Sequence, residues 1–226
     1  MKIIFILLGF LISTCVVNGQ DIDYDSLDRA RYNYFIDRYS QHYGKKLPNI
    51  EFLNDKGNIV QLTDYNQQLL VINIWATWCS PCIRKIPYIQ SAMKRLKYHG
   101  ISDFDWINIS IDTDTMAWKK MVSTMEIPGF NIISNKNDMK NHFMAQGTPT
   151  YIIVNEDFQI IGYELNGPET IEMEYQIIRA LEGISCADSY KEIYDPYRRD
   201  YTESFKNWMI EYTGESHNNS IQEAKF

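Results

Sequence analysis

The stretch WATWCSPCIRKIP, Trp75 to Pro87, decides how this chain is read. It sets Cys79 and Cys82 three positions apart, directly behind Leu69 to Trp75, a continuous β-rich apolar run of the kind found in a buried central strand. Ile86, Ile89, Met93 and Leu96 then recur on one helical face until Gly100. Cys79 therefore falls where a strand hands over to a helix. Unpaired N–H groups and the helix dipole at such a terminus favour a thiolate, lowering a cysteine pKa from about 8.5 to roughly 3.5–7.5. Pro81 suits the first helical turn, where its missing N–H has no partner to lose. The spacing gives an exposed nucleophile at Cys79 and a more enclosed resolving thiol at Cys82.

Two other uses of the pair fit less well. A zinc site needs further ligands at compatible spacing, and His42, His99, His142 and His217 lie far away without a paired pattern. No metal is expected. A purely structural disulfide would close a tiny ring and remove little entropy from the unfolded chain. Cys15 and Cys186 complete the cysteines; with Cys15 lost in processing, three remain, an odd number that argues against a disulfide framework. Cys186 reads as a buried or idle thiol.

The chain of 226 residues, with 45% hydrophobic and 14% aromatic residues, can bury a real core, which excludes full disorder. A net charge of −7 argues against a nucleic-acid surface. Lys2 followed by the apolar run Ile3 to Leu11 reads as an export signal, too short to span a membrane comfortably. Cleavage before Gln20 gives a signal peptide over 1–19. Two alternatives are a lipoprotein anchored through Cys15 and an uncleaved anchor; only these would place the protein at a membrane. All three export it, so the expected location is periplasmic.

Residues 20–46 form a tyrosine-rich helical lead, with Tyr32, Phe35, Ile36, Tyr39 and Tyr43 at helical spacing. From 47 to 183 strands and helices alternate. Asn54 to Asn58 reads as a hairpin turn, Asp105 to Ile111 as a strand, and Trp118, Met121, Val122 and Met125 as a helix face. Asp112 and Asp114 read as caps of that helix, not as a metal pair. Tyr151–Val154 and Gln159–Tyr163 follow as strands, then a helix over Ile171 to Leu181. The order implies an α/β fold, a central mixed sheet with helices on both faces. Residues 184–226 form a helical extension and loose tail, whose helix is expected to start at Asp195-Pro196 and to carry the stripe Tyr197, Tyr201, Phe205, Trp208, Met209 and Tyr212. Such a stripe is more often core than docking surface, yet it is the best candidate in the sequence for a partner or dimer contact.

A second motif bears on the dithiol. In GTPTYIIV, 147–154, Pro149 stands just before a strand, where it cannot donate a ladder hydrogen bond. A cis Thr148–Pro149 bond would present the backbone of Thr148 to a bound peptide. Together, W-C-x-x-C between strand and helix, Pro87 five residues on, and this Thr-Pro resemble the thioredoxin fold. VINIWATWCSPC, NISIDTDTMAWKKMV and GTPTYIIVNEDFQIIG resemble the exported TlpA/ResA branch of thioredoxin-like oxidoreductases, over about residues 47–182.

The resemblance implies a thiol–disulfide oxidoreductase in which Cys79 attacks, Cys82 resolves, and Pro149 is the cis-proline facing them. Trp75, Trp78, Ser80, Pro81 and Thr148 join Pro149 as residues facing substrate. It implies no cofactor beyond the redox-active pair. Its partners would be exported protein disulfides, cytochrome c maturation clients among them, with a membrane disulfide reductase as electron donor. Disulfide oxidase or isomerase activity, and a non-catalytic chaperone holding a metal or client, stand as alternatives. Two positions depart from the pattern: Asn73 stands where thioredoxins keep a buried Asp, and Lys85 where TlpA/ResA relatives keep Glu. Water, or an acid distant in sequence, then has to accept the Cys82 proton. Lys85 either favours a thiolate or is a solvated helix residue.

Overall fold

A computed structural model describes residues 24–65, 67–134, 136–198 and 200–214. The expected signal segment 1–19 with Cys15, and the tail 215–226, lie outside them. In chain order the elements are α1 (Tyr24–Ser40), β1 (Glu51–Asn54), β2 (Ile59–Gln61), β3 (Leu69–Trp75), α2 (Ser80–Tyr98), β4 (Phe104–Ser110), α3 (Thr115–Thr124) and β5 (Phe130–Ile133). They continue with α4 (Lys136–His142), β6 (Thr150–Asn155), β7 (Ile160–Tyr163), α5 (Ile171–Leu181), α6 (Cys186–Ile193), β8 (Tyr194–Asp195), β9 (Asp200–Tyr201) and α7 (Glu203–Thr213).

Among the described residues the main sheet runs β2-β1-β5-β4-β3-β6-β7. β3 lies inside it, parallel to β4 and antiparallel to β6, and all seven of its residues are buried. This is why its sequence is a continuous apolar run: neither face meets water. The period of two then sorts its side chains. Leu70, Ile72 and Ile74 enter one core with Trp118, Val122, Met139 and Phe143. Leu69 and Val71 enter the other with Met173, Ile177 and Tyr190. The fold is the expected central mixed sheet with helices on both faces.

The lead and the extension share that second core. Tyr39 is fully buried, and the Phe35 and Tyr39 rings lie 5.3 and 5.2 Å from Tyr190 of α6. Tyr43 falls beyond the end of α1 and is exposed. From α7, Phe205, Met209 and Tyr212 are buried, with Tyr175 of α5 edge-on to Phe205 at 5.0 Å. The aromatic stripe is thus largely spent inside the molecule.

The start of α7 differs from the sequence expectation. Asp195 does not cap a helix; its Oδ1 accepts N–H bonds from Tyr197 and Arg198, and β8 and β9 pair around that turn. A short acidic side chain can close a local turn as readily as it caps a helix. The helix waits for Thr202, whose Oγ1 accepts the Phe205 N–H at 3.2 Å. α6 was not anticipated; Ser185 caps it by accepting the Asp188 N–H at 3.1 Å.

Candidate active site

Three segments meet at one end of the sheet. β3 ends at Trp75, and the chain turns through Ala76, Thr77 and Trp78 into Cys79, the N-cap of α2. The β3–β4 ladder continues one rung past β4, with Ile111 donating its N–H to the Trp75 carbonyl at 3.0 Å. On the other side, the register Ile74↔Thr150 brings Pro149 to the same end, next to Trp75. The Thr148–Pro149 bond is cis, and both residues are half-buried.

Cys79 and Cys82 form a disulfide with Cα atoms 5.2 Å apart. Cys79 Sγ also accepts the Cys82 N–H at 3.2 Å, so the sulfur caps one of the amides at the α2 terminus that lack a partner within the helix. Pro81 occupies the first turn, as its lack of an N–H allows. The expected contrast between an exposed Cys79 and an enclosed Cys82 is absent in this oxidised form: the two are 5% and 4% exposed.

Ser80 and Pro81 are exposed, and Ser80 Oγ accepts from Arg84 Nη1 at 2.7 Å. The two tryptophans separate. Trp78 is 65% exposed and can meet another molecule, whereas Trp75 is 2% exposed and belongs to the core. Trp75 therefore packs beneath the site, and its burial does not fit the expectation that it faces substrate. Its position as the last residue of a strand buried on both faces accounts for this.

Residues 42–177, more than half of the chain, match the Redoxin family. The chain belongs to that family. It is 23% identical over 148 residues to the thiol-disulfide oxidoreductase ResA of Bacillus thuringiensis subsp. konkukian, covering 66% of this chain and 83% of that protein. ResA of Bacillus subtilis is 20% identical over 127 residues, covering 56% of this chain and 69% of that protein. Among solved structures, a thiol:disulfide interchange protein from a Bacteroides species matches with a TM-score of 0.52 and 24% identity, over 62% of this chain and 91% of that one. The thioredoxin domain of a thiol-disulfide oxidoreductase from Bacteroides vulgatus matches with a TM-score of 0.50 and 24% identity, over 62% and 96%. These structures share the thioredoxin-like fold, and the similarity to the two ResA proteins supports the resemblance to the TlpA/ResA type.

The two departures of this Redoxin chain are resolved locally. Asn73 is buried and donates to Asn108 Oδ1 at 3.0 Å, an oxygen that also accepts from Trp106 Nε1 at 3.0 Å. Asn108 in turn donates to the Pro128 carbonyl at 2.8 Å. Asn73 is therefore a cross-strand tie. Lys85 forms an ion pair with Glu169, and its Nζ lies 5.9 Å from the Tyr151 ring centroid. Lys85 is accordingly not a freely solvated residue, and its charge is balanced.

Sequence reasoning missed the role of Asp112. Only Asp114 caps α3, accepting the Met116 and Ala117 N–H groups at 3.0 Å. Asp112 is 7% exposed and bonds instead to Thr77 and Ser110 beside the dithiol. The available signal was polarity out of place: Asn73 interrupts the apolar β3, and Asn108, Ser110 and Asp112 alternate with Ile107, Ile109 and Ile111 along and just past β4. Cys186 is fully buried, and burial pushes its thiol well above the usual range. Among the described residues no helix is long and apolar enough to cross a membrane.

Proposed function

We propose that this protein reduces disulfides of exported proteins through its Cys79–Cys82 pair. The observation that carries the reading is the pair itself, closed at the N-terminus of α2 with Cys79 as the capping residue. In the reduced enzyme the Cys79 thiolate attacks one sulfur of a client disulfide. That S–S bond breaks, a mixed disulfide forms, and the first client sulfur leaves as a thiolate. Cys82, once deprotonated, attacks Cys79 Sγ and releases the second client sulfur. Two electrons have passed to the client, whose two thiolates take up protons, and Cys79–Cys82 is left oxidised.

An external dithiol must then reduce the pair again, and a membrane disulfide reductase fits the expected location. Export is supported by the Lys2 charge and the apolar run that follows it. Trp78, Ser80, Pro81 and the Thr148–Pro149 backbone form the surface that meets the client. The reaction uses no metal or organic cofactor.

Turnover of a protein disulfide substrate tests the reading. Cys79→Ser should abolish it, and Cys82→Ala should accumulate a mixed disulfide that identifies the client. Full turnover by Cys79→Ser would sink the proposal. A redox titration fixes the direction: a potential near −270 mV marks a reductant, and one near −120 mV an oxidant.

A further inference from the structure

Asp112 stands just past the end of β4 and is buried. Its Oδ2 accepts the Thr77 N–H at 2.9 Å and the Ser110 hydroxyl at 2.6 Å, while its Oδ1 accepts the Thr77 hydroxyl at 2.7 Å. Its own N–H donates to Ser110 Oγ at 3.0 Å. Among the described residues no cation pairs with this carboxylate. Three donors therefore hold its charge, and two of them belong to one residue of the active-site turn.

Thr77 lies two positions before Cys79. Among the described residues, the other backbone bonds of that turn are from the Cys79 N–H to the Ala76 carbonyl at 3.0 Å and from the Ile83 N–H to the Cys79 carbonyl at 3.1 Å. A two-point grip on Thr77, through its backbone and its side chain, fixes both the path of the chain and its rotation. Ser110 braces the carboxylate from the strand. The clamp thus ties the Thr77–Cys79 segment to the rigid end of β4.

We infer that Asp112 is a positioning residue for thiol–disulfide exchange, acting through Thr77 to hold Cys79 Sγ on the amides of the α2 terminus. This rests on the proposed dithiol chemistry. The benefit of a helix N-terminus to a thiolate falls off within one turn, so a sulfur that wanders loses it. Two effects of Asp112 have opposite signs. Positioning lowers the Cys79 pKa, whereas the bare negative charge raises it.

The test is the pH dependence of Cys79 alkylation by iodoacetamide in the reduced protein, read by peptide mapping, alongside the exchange rate with a small disulfide. Thr77→Val keeps the charge and removes one arm of the clamp. It should slow Cys79 alkylation at neutral pH about threefold to tenfold, move the profile to higher pH, and slow exchange. Thr77→Ser, which keeps the hydroxyl, should restore the wild-type profile. Asp112→Asn should shift the profile the same way as Thr77→Val. A lower-pH profile in Asp112→Asn with a wild-type profile in Thr77→Val would overturn the inference in favour of a through-space charge effect. Unchanged profiles with only a lower melting temperature would overturn it in favour of a structural role. The alkylation profile needs no client, so it can be read even if the wild-type protein fails to reduce disulfides and the proposed function falls.

Discussion

The removal of a single hydroxyl tests how the C-terminal extension is joined to the dithiol helix. Glu174 of α5 is fully buried, and Arg95 of α2 reaches it with Nε 3.1 Å from both carboxylate oxygens and with Nη2 on Oε1. Tyr212 of α7 donates its hydroxyl to Glu174 Oε2 at 2.8 Å. Tyr212→Phe deletes that bond and keeps the ring, which stacks on Trp208 at 4.7 Å and on His99 at 4.1 Å. A hydrogen bond to a charged acceptor contributes about 1.5–3 kcal/mol. At a urea slope of about 2 kcal/mol/M, the unfolding midpoint should fall by roughly 1 M. Arg95→Met is the harsher change, because it strands a buried carboxylate; it should cost about 3–5 kcal/mol. Arg95 and Tyr212 both bond the one Glu174 carboxylate, so the two changes are coupled. The double variant should then lose less than the sum of the two. The assay is equilibrium urea unfolding followed by tryptophan fluorescence. Disulfide exchange by folded Tyr212→Phe should remain at the wild-type rate, since the ring stack on His99 at the C-cap of α2 is kept. A Tyr212→Phe protein within about 0.5 kcal/mol of wild type at unchanged slope would refute the latch.

Two further outcomes follow from burial and charge. Native Cys186 should resist alkylation at about pH 8, where reduced Cys79 reacts, because burial raises its pKa and its sulfur is packed so close to β7 that a Cβ at Gly162 would lie 2.3 Å from it. Rapid labelling of Cys186 before denaturant is added would contradict this. Burial raises the Glu192 pKa, but hydrogen bonds from Arg179 and Tyr175 outweigh it, leaving a net shift below the ordinary 4.5. A depressed carboxyl pKa gives stability that is present above 4.5 and is lost as pH falls through the lower folded value. Glu192→Gln should flatten the acid limb of stability against pH; an unchanged limb would exclude the contribution.

The parts of this molecule that were legible in its sequence are those where one local rule acts. Leu69 to Trp75 has no polar interruption except Asn73, because β3 is covered on both faces. Cys79 could be placed at a helix start because strand, Pro81 and helical spacing agree. The misread features involve a side chain with two competent uses. Asp112 and Asp114 are both plausible caps, and only the β3–β4 register puts Thr77 within reach of the first. Asp195 could begin a helix or close a turn, and the pairing of Tyr194 with Tyr201 selects the turn. Trp75 and Trp78 look alike in sequence, but the strand holds the first and releases the second. Long-range partners such as Glu169 for Lys85 leave no mark at the lysine.

α2 connects the chemistry to the parts of the chain outside the Redoxin match. Its first turns give Cys82 and Ile86 to one core, and its later turns give Ile89 and Leu96 to the other. That second core is completed by Tyr39 from the lead and by Tyr190, Phe205 and Met209 from the extension. The border drawn at Gly183 from sequence pattern is therefore crossed by packing. Losing α7 would uncover Phe205's neighbours and leave Glu174 with Arg95 alone. The ring stack of Tyr212 on His99, at the C-cap of α2, fixes the end of the helix opposite Cys79. A helix anchored at its far end can hold its N-terminal amides still against a sulfur that is repeatedly oxidised and reduced. Under the proposed function, the lead and the extension would serve the dithiol through rigidity, and direct contact with a client would fall to the exposed Trp78 and its neighbours at the other end of the helix.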